Sequence, residues 1–138
     1  MTPMTLTCPC NGARLRITQA PVAQFLCHCE DCRAVTGDPM TALALFPAAG
    51  VELLEGEVGT SVWRTLPRTW CTRCGALLFG EPPGMGMRGV NGALRPAGWF
   101  DPAFHIRCGH AVAPVRDGLP HFKDVPPAFG GTDETVDW

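Results

Sequence analysis

Residues 27–33 read Cys27-His28-Cys29-Glu30-Asp31-Cys32-Arg33, which places three thiols within six positions. Val22 to Leu26, after Pro21, reads as a strand leading directly into Cys27. Glu30 to Thr36 reads as one short helix, stopped at Gly37 and barred from continuing by Pro39. Three protein ligands with a fourth position open is the pattern of a catalytic zinc, whereas structural zinc is closed by four. Spacing leaves two readings standing: an open site, or one that Cys108, His28 or His105 closes.

Four more thiols lie in two tight pairs on either side. Cys8-Pro9-Cys10 is a C-x-C, and Cys71-Thr72-Arg73-Cys74-Gly75 is a C-x-x-C-G. In such a turn two thiolates converge on one ion, and a following Gly permits the tight backbone. Two two-Cys knuckles supply the four ligands of a closed tetrahedral site, so Cys8, Cys10, Cys71 and Cys74 read as a structural zinc site. Met1 to Cys10 has neither the basic region nor the apolar stretch of a secretory signal. The expected compartment is therefore the reducing cytoplasm, where eight cysteines read as metal ligands before they read as four disulfides.

The rest of the chain is built from short, punctuated segments. Ala13 to Thr18 alternates, with Ala13, Leu15 and Ile17 on one face and Arg14 and Arg16 on the other, as in a half-buried strand. Met40 to Phe46, Val51 to Leu54, Thr60 to Leu66, Ala76 to Phe79 and Met87 to Asn91 are further strand candidates. Phe104 to Val115 is the last, bent at Gly109. Gly and Pro make up 30 of the 138 residues, which excludes a fold dominated by long helices. The expectation is a mainly β, mostly antiparallel fold with at most one or two short helices. Residues 1–123 are expected to form a single zinc-binding domain, followed by an acidic tail at 124–138 that is extended or frayed unless Trp138 docks.

Composition narrows the partners. Net charge is −2, which argues against nucleic acid or an anionic membrane as the target. The longest apolar stretch, Ala42 to Val51, contains Pro47 and Gly50 and is too short to span a bilayer. Ten of the eleven basic residues are arginine, the side chain suited to bidentate carboxylate contacts.

The order C-x-C, then C-H-C-x-x-C-R at Cys27 to Arg33, then Arg68 to Gly75, resembles the glutathione-dependent formaldehyde-activating enzyme family, which includes centromere protein V-like proteins. Gly92-Ala93-Leu94, His105-Ile106 and Asp117-Gly118-Leu119-Pro120 are similar to its later motifs, so the likeness spans about Thr7 to Phe122. The resemblance implies a zinc-pinned antiparallel β-tent with two zincs per chain. One would be structural, on Cys8, Cys10, Cys71 and Cys74, and the second would sit on Cys27, Cys29 and Cys32. It also implies a carbon–sulfur lyase activity, the addition of glutathione to formaldehyde. Asn11, standing before Gly12, departs from the family pattern, as does the lack of a Trp in Ala111 to Val115.

The chemistry can be judged beside the likeness. A zinc held by three thiolates carries net charge −1, so it suits presenting a thiolate better than polarising a carbonyl. A small thiol would enter the open position and meet an aldehyde there, with Cys27, Cys29 and Cys32 acting through the zinc. Arg33, beside Cys32, is the candidate partner for the thiol's carboxylates. Two other function classes compete: a non-catalytic zinc module that binds a protein partner, and a thiol oxidoreductase using Cys108. His28 reads as a solvent-side group or one that supports the ligands beside it, His105, His110 and His121 as strand or loop histidines, and Cys108 as a buried thiol inside an apolar strand.

Overall fold

Alternating arginines set the first sheet. Strand β1 (Met4–Thr7) pairs antiparallel with β2 (Ala13–Ile17), and β2 pairs antiparallel with β5 (Val51–Gly56). Along β2, Ala13, Leu15 and Ile17 are fully buried while Arg14 and Arg16 face solvent, as the alternation predicts. The computed structural model describes residues 2–64 and 66–138. Among them the protein is mainly β, with ten strands, one α-helix and three short 3-10 turns.

The chain folds into two compact units. The first comprises the chain up to Ala23 together with Ala44–Phe100; the second comprises Gln24–Leu43 and Asp101–Trp138. Besides the β1–β2–β5 sheet, the first unit holds an antiparallel meander of β6 (Val58–Trp63), β7 (Leu66–Cys71), β8 (Leu77–Gly80) and β9 (Met87–Asn91). Its core gathers Leu6, Leu15, Ile17, Phe46, Leu78 and Val90 with the thiols of Cys8 and Cys71. Each fully buried aliphatic side chain contributes about 1.5–3 kcal/mol. The single strand expected over Thr60 to Leu66 is instead the end of one strand and the start of the next. Arg64, at φ 62°, puts the turn of a hairpin there; Thr65, within that expected strand, lies outside the described residues.

In the second unit β3 (Ala23–Cys27) pairs with β10 (Phe104–Ile106) in parallel, one exception to the antiparallel expectation. Helix α1 (Glu30–Thr36) follows and ends at Gly37 in the left-handed conformation, as its sequence predicts. Strand β4 (Thr41–Pro47) leads the chain back to the first unit. The strand expected from Phe104 to Val115 stops at Ile106. Arg107, at φ 57°, turns the chain, so Cys108 sits in a 3-10 turn and not in a strand. Phe25 stacks on Phe104 at 5.6 Å between centroids, and Phe122 meets Phe104 edge-on at 5.7 Å.

The acidic segment from Asp124 is hydrogen-bonded and folds through a 3-10 turn at Pro127–Phe129, where an extended or frayed tail was expected. Lys123 N–H donates to Glu134 O, Val136 N–H donates to His121 O, and Arg107 pairs with Asp124. Trp138 docks against His121, His28 and His105, at 4.5, 5.2 and 5.9 Å between ring centroids. No described helix is long and apolar enough to cross a membrane.

Candidate functional site

The first cluster is assembled from two turns 61 residues apart. At the first, Asn11 N–H donates to Cys8 O and Gly12 N–H reaches the Cys10 sulfur at 3.3 Å. Asn11 takes φ 58°, a left-handed conformation that asparagine tolerates better than most side chains. That accounts for the residue inserted before Gly12. At the second, Gly75 at φ 77° donates its N–H to Cys71 O at 2.8 Å. The Sγ atoms of Cys8, Cys10, Cys71 and Cys74 all lie within 4.8 Å of one another.

The second cluster is local. Cys27 ends β3, Cys29 caps α1 by accepting the Cys32 N–H at 3.2 Å, and Cys32 lies in the helix's first turn. The three Sγ atoms lie within 4.8 Å of one another. Among the described residues no fourth Cys, His, Asp or Glu joins this group, so Cys108, His28 and His105 do not close it.

Sulfur spacing tests whether a metal suits these sites. Four ligands at about 2.3 Å from a tetrahedral zinc stand roughly 3.8 Å apart. Cys8 to Cys10 is 3.5 Å, Cys10 to Cys71 is 3.7 Å, and Cys27 to Cys32 is 3.5 Å. Both donor sets fit. No disulfide links any of the eight cysteines.

Crowding polarises the thiols. Against the upward push of burial, the Ala13 backbone and the neighbouring sulfurs hold Cys8 down to about 7. Against the Gly12 N–H, burial and the same neighbours push Cys10 up to about 11. Cys27 is pushed well above the ordinary thiol value by its contacts with Cys29 and Cys32 and by burial. Thiols this close cannot all ionise without a cation among them.

A polar chain with two buried histidines, anchored on the exposed Asp117, lies in the same unit as the second cluster, and sequence reasoning passed over it. Asp117 Oδ2 lies 2.6 Å from His105 Nε2, and His105 Nδ1 lies 2.9 Å from His28 Nε2. His28 and His105 are fully buried. Burial first, then the nearby His105, His121 and Arg33 charges, lower His28 to about 4, against the opposing charge of Asp117. Burial disfavours the Asp117 carboxylate, but hydrogen bonds from His105 and the Leu119 N–H outweigh that and lower its pKa. Arg33, on α1, has its Nε buried without a hydrogen-bond partner. Cys108 is buried, and desolvation followed by the Asp117 charge pushes it up to about 11. A thiol that stays protonated is a poor nucleophile, which argues against the oxidoreductase reading. The C-H-C triplet and the isolated His105-Ile106 pair were visible in the sequence. The direct contact between His28 and His105 depends on strand pairing between positions 77 residues apart.

A family model described as glutathione-dependent formaldehyde-activating enzyme matches residues 3–110. No curated protein sequence matches the chain. Among solved structures the chain is similar to the crystal structure of a Rhodobacter sphaeroides protein, at 19% identity and a TM-score of 0.58. That alignment covers 69% of this chain and 90% of the other, and at this identity it bears on the fold alone.

Proposed function

The chain belongs to the glutathione-dependent formaldehyde-activating enzyme family, and from that membership we propose that it is a zinc-dependent carbon–sulfur lyase. In the reaction a thiol sulfur bonds to an aldehyde carbon while the carbonyl oxygen takes up a proton; the reverse breaks the C–S bond. Glutathione is the thiol and formaldehyde the aldehyde in this reading. The observation that carries it is the set of three thiols at the β3–α1 junction, with no fourth ligand grouped among the described residues.

Cys27, Cys29 and Cys32 would hold the second zinc, and Cys8, Cys10, Cys71 and Cys74 the structural one. Bound at the three-cysteine site, zinc supplies positive charge that keeps a thiol ligand ionised at neutral pH. Arg33 offers its guanidinium to a carboxylate of the thiol, which gives its unpartnered Nε an acceptor. Residues 1–123 act as one zinc-binding β-tent domain in this reading. The chain passes between the two units three times, so neither is a contiguous piece. The reducing cytoplasm, where thiolate ligands persist, is the proposed compartment.

Cobalt substitution tests the reading, because thiolate-to-metal absorption grows with each sulfur bound. Titrating glutathione into the cobalt-loaded protein is expected to add one thiolate per chain. A spectrum that glutathione leaves unchanged would refute the enzymatic reading and favour a non-catalytic module that binds a protein partner.

A further inference from the structure

The chain beyond β10 folds back and gathers three metal-ligating side chains with no cysteine among them. His105 lies on β10, and its backbone bonds with Pro120 and Phe122 set His121 beside it. One ligand atom each from His105, Asp117 and His121 lies within 4.8 Å of the other two. Hydrogen bonds alone can hold such a group together, but His121 does not fit that account. Only 9% of His121 is exposed, yet its buried Nε2 has no hydrogen-bond partner. Buried polar atoms are nearly always paired, so this nitrogen asks for an explanation.

Spacing supplies one. Asp117 Oδ1 lies 3.3 Å from His121 Nε2, within ion-pair range but not aligned as a hydrogen bond. Two ligands at about 2.05 Å from a tetrahedral ion stand roughly 3.3 Å apart, each lone pair directed at the ion and not at the other ligand. Oδ1 accepts the Leu119 N–H at 3.1 Å, which leaves it a second lone pair. His105 Nε2 is closer to the carboxylate, 2.6 Å from Oδ2, and that contact is a hydrogen bond. Ligands at a right angle on one ion stand roughly 2.9 Å apart, so admitting an ion parts His105 and Asp117 by about 0.3 Å or more. The Asp117 side chain, 29% exposed, has room for that shift and gives an ion a way in from solvent. His105 Nδ1 rests against His28 Nε2 at 2.9 Å, the outer contact that metal-bound imidazoles generally make. Trp138 covers the His121 ring at 4.5 Å between centroids.

We propose that His105, Asp117 and His121 form a third metal site, separate from both cysteine clusters, that takes a divalent transition ion of zinc's class. Two imidazoles and one carboxylate suit zinc, iron(II) or cobalt(II) better than calcium or magnesium, which take oxygen ligands. The ligands come from β10, from the loop after it and from the start of the C-terminal segment. A bound ion would therefore staple that segment to the sheet. The proposal is independent of the lyase reading, because none of its ligands is a cysteine.

Cobalt(II) tests it. The protein is first given two equivalents of zinc, which the seven clustered thiols take ahead of a thiol-free set. Cobalt is then titrated in. One further equivalent is expected to bind, seen as visible absorption without the near-ultraviolet rise that sulfur–cobalt bonds bring. His121→Ala and Asp117→Ala should each lose it, while His110→Ala, outside the cluster, should keep it. Two-bond 1H–15N spectra of the histidine-labelled wild type add a readout that needs no variant. A third equivalent of zinc should shift the His105 and His121 ring nitrogens and leave His110 in place. No third equivalent, uptake only with the sulfur signature, uptake that survives His121→Ala, or unmoved His105 and His121 signals would each overturn the proposal. A third ion bound here while glutathione leaves the cysteine-bound cobalt unchanged would sink the lyase reading and leave this one standing.

Discussion

The two cysteine clusters differ in what holds them together. In the first unit four sulfurs come from two turns 61 residues apart, and two of them, Cys8 and Cys71, belong to the apolar core. In the second unit three sulfurs come from six consecutive residues at one strand–helix junction. A metal at the first site ties distant chain segments and so opposes unfolding. A metal at the second closes only a short loop, which already has its own cap hydrogen bonds. In the proposed reading one motif chemistry would serve two ends: long-range ligation would carry stability, and local ligation would leave a coordination position available for reaction.

The largest effect should come from breaking the long-range cluster. Cys74 is exposed, so Cys74→Ser removes a ligand and almost no packing. Structural zinc sites in small modules contribute on the order of 10 kcal/mol. Cys74→Ser should therefore yield little folded protein, read by soluble expression and circular dichroism. Cys29→Ser should stay folded, lose one zinc by elemental analysis, and lose the glutathione response. Equal damage from the two variants would erase the distinction between the clusters.

A smaller effect separates backbone from ligation. Gly75, in the first cluster's turn, and Gly37, after α1, both have φ 77° and open space where a Cβ would lie. Alanine at either should cost about 1–2 kcal/mol from the left-handed backbone alone. Urea melts of the zinc-loaded variants check this. A much greater loss at Gly75 would mean that its turn conformation, beyond the ligands, governs metal binding.

The smallest effect belongs to Cys108. Cys108→Ala should leave the glutathione titration as it is and cost about 1 kcal/mol in stability. Its folded-state pKa is raised from 9.0 to about 11, so protonated Cys108 favours the fold. That contribution is complete below pH 9 and is lost as pH rises through about 11. The stability gap between wild type and Cys108→Ala should be flat at lower pH and shrink across that window. Loss of turnover in Cys108→Ala would revive the oxidoreductase reading.

Legibility followed the range of the interaction. The helix from Glu30 to Thr36 and the burial of Ala13, Leu15 and Ile17 were readable, because caps and alternation act between near neighbours. The Phe104 strand was read too long, because Arg107 adopts a left-handed turn that its side chain does not advertise. Likewise, Arg64 hid the β6–β7 hairpin. Spacing alone left His28, His105 and Cys108 as rivals to close the second cluster. The structure places none of them among its grouped ligand atoms.

The sequence by itself determined the mainly β character, the two thiol sets and the likeness to a family, because those rest on residue type and local spacing. Only the tertiary structure decided that exposed Asp117 and the buried His105 and His28 form one hydrogen-bonded chain ending on an unsatisfied nitrogen. Parallel pairing sets His105 opposite Leu26, just before Cys27, and the loop after β10 returns Asp117 to His105. A hydrogen bond needs its two atoms within about 3 Å, and only folding brings together groups so far apart along the chain.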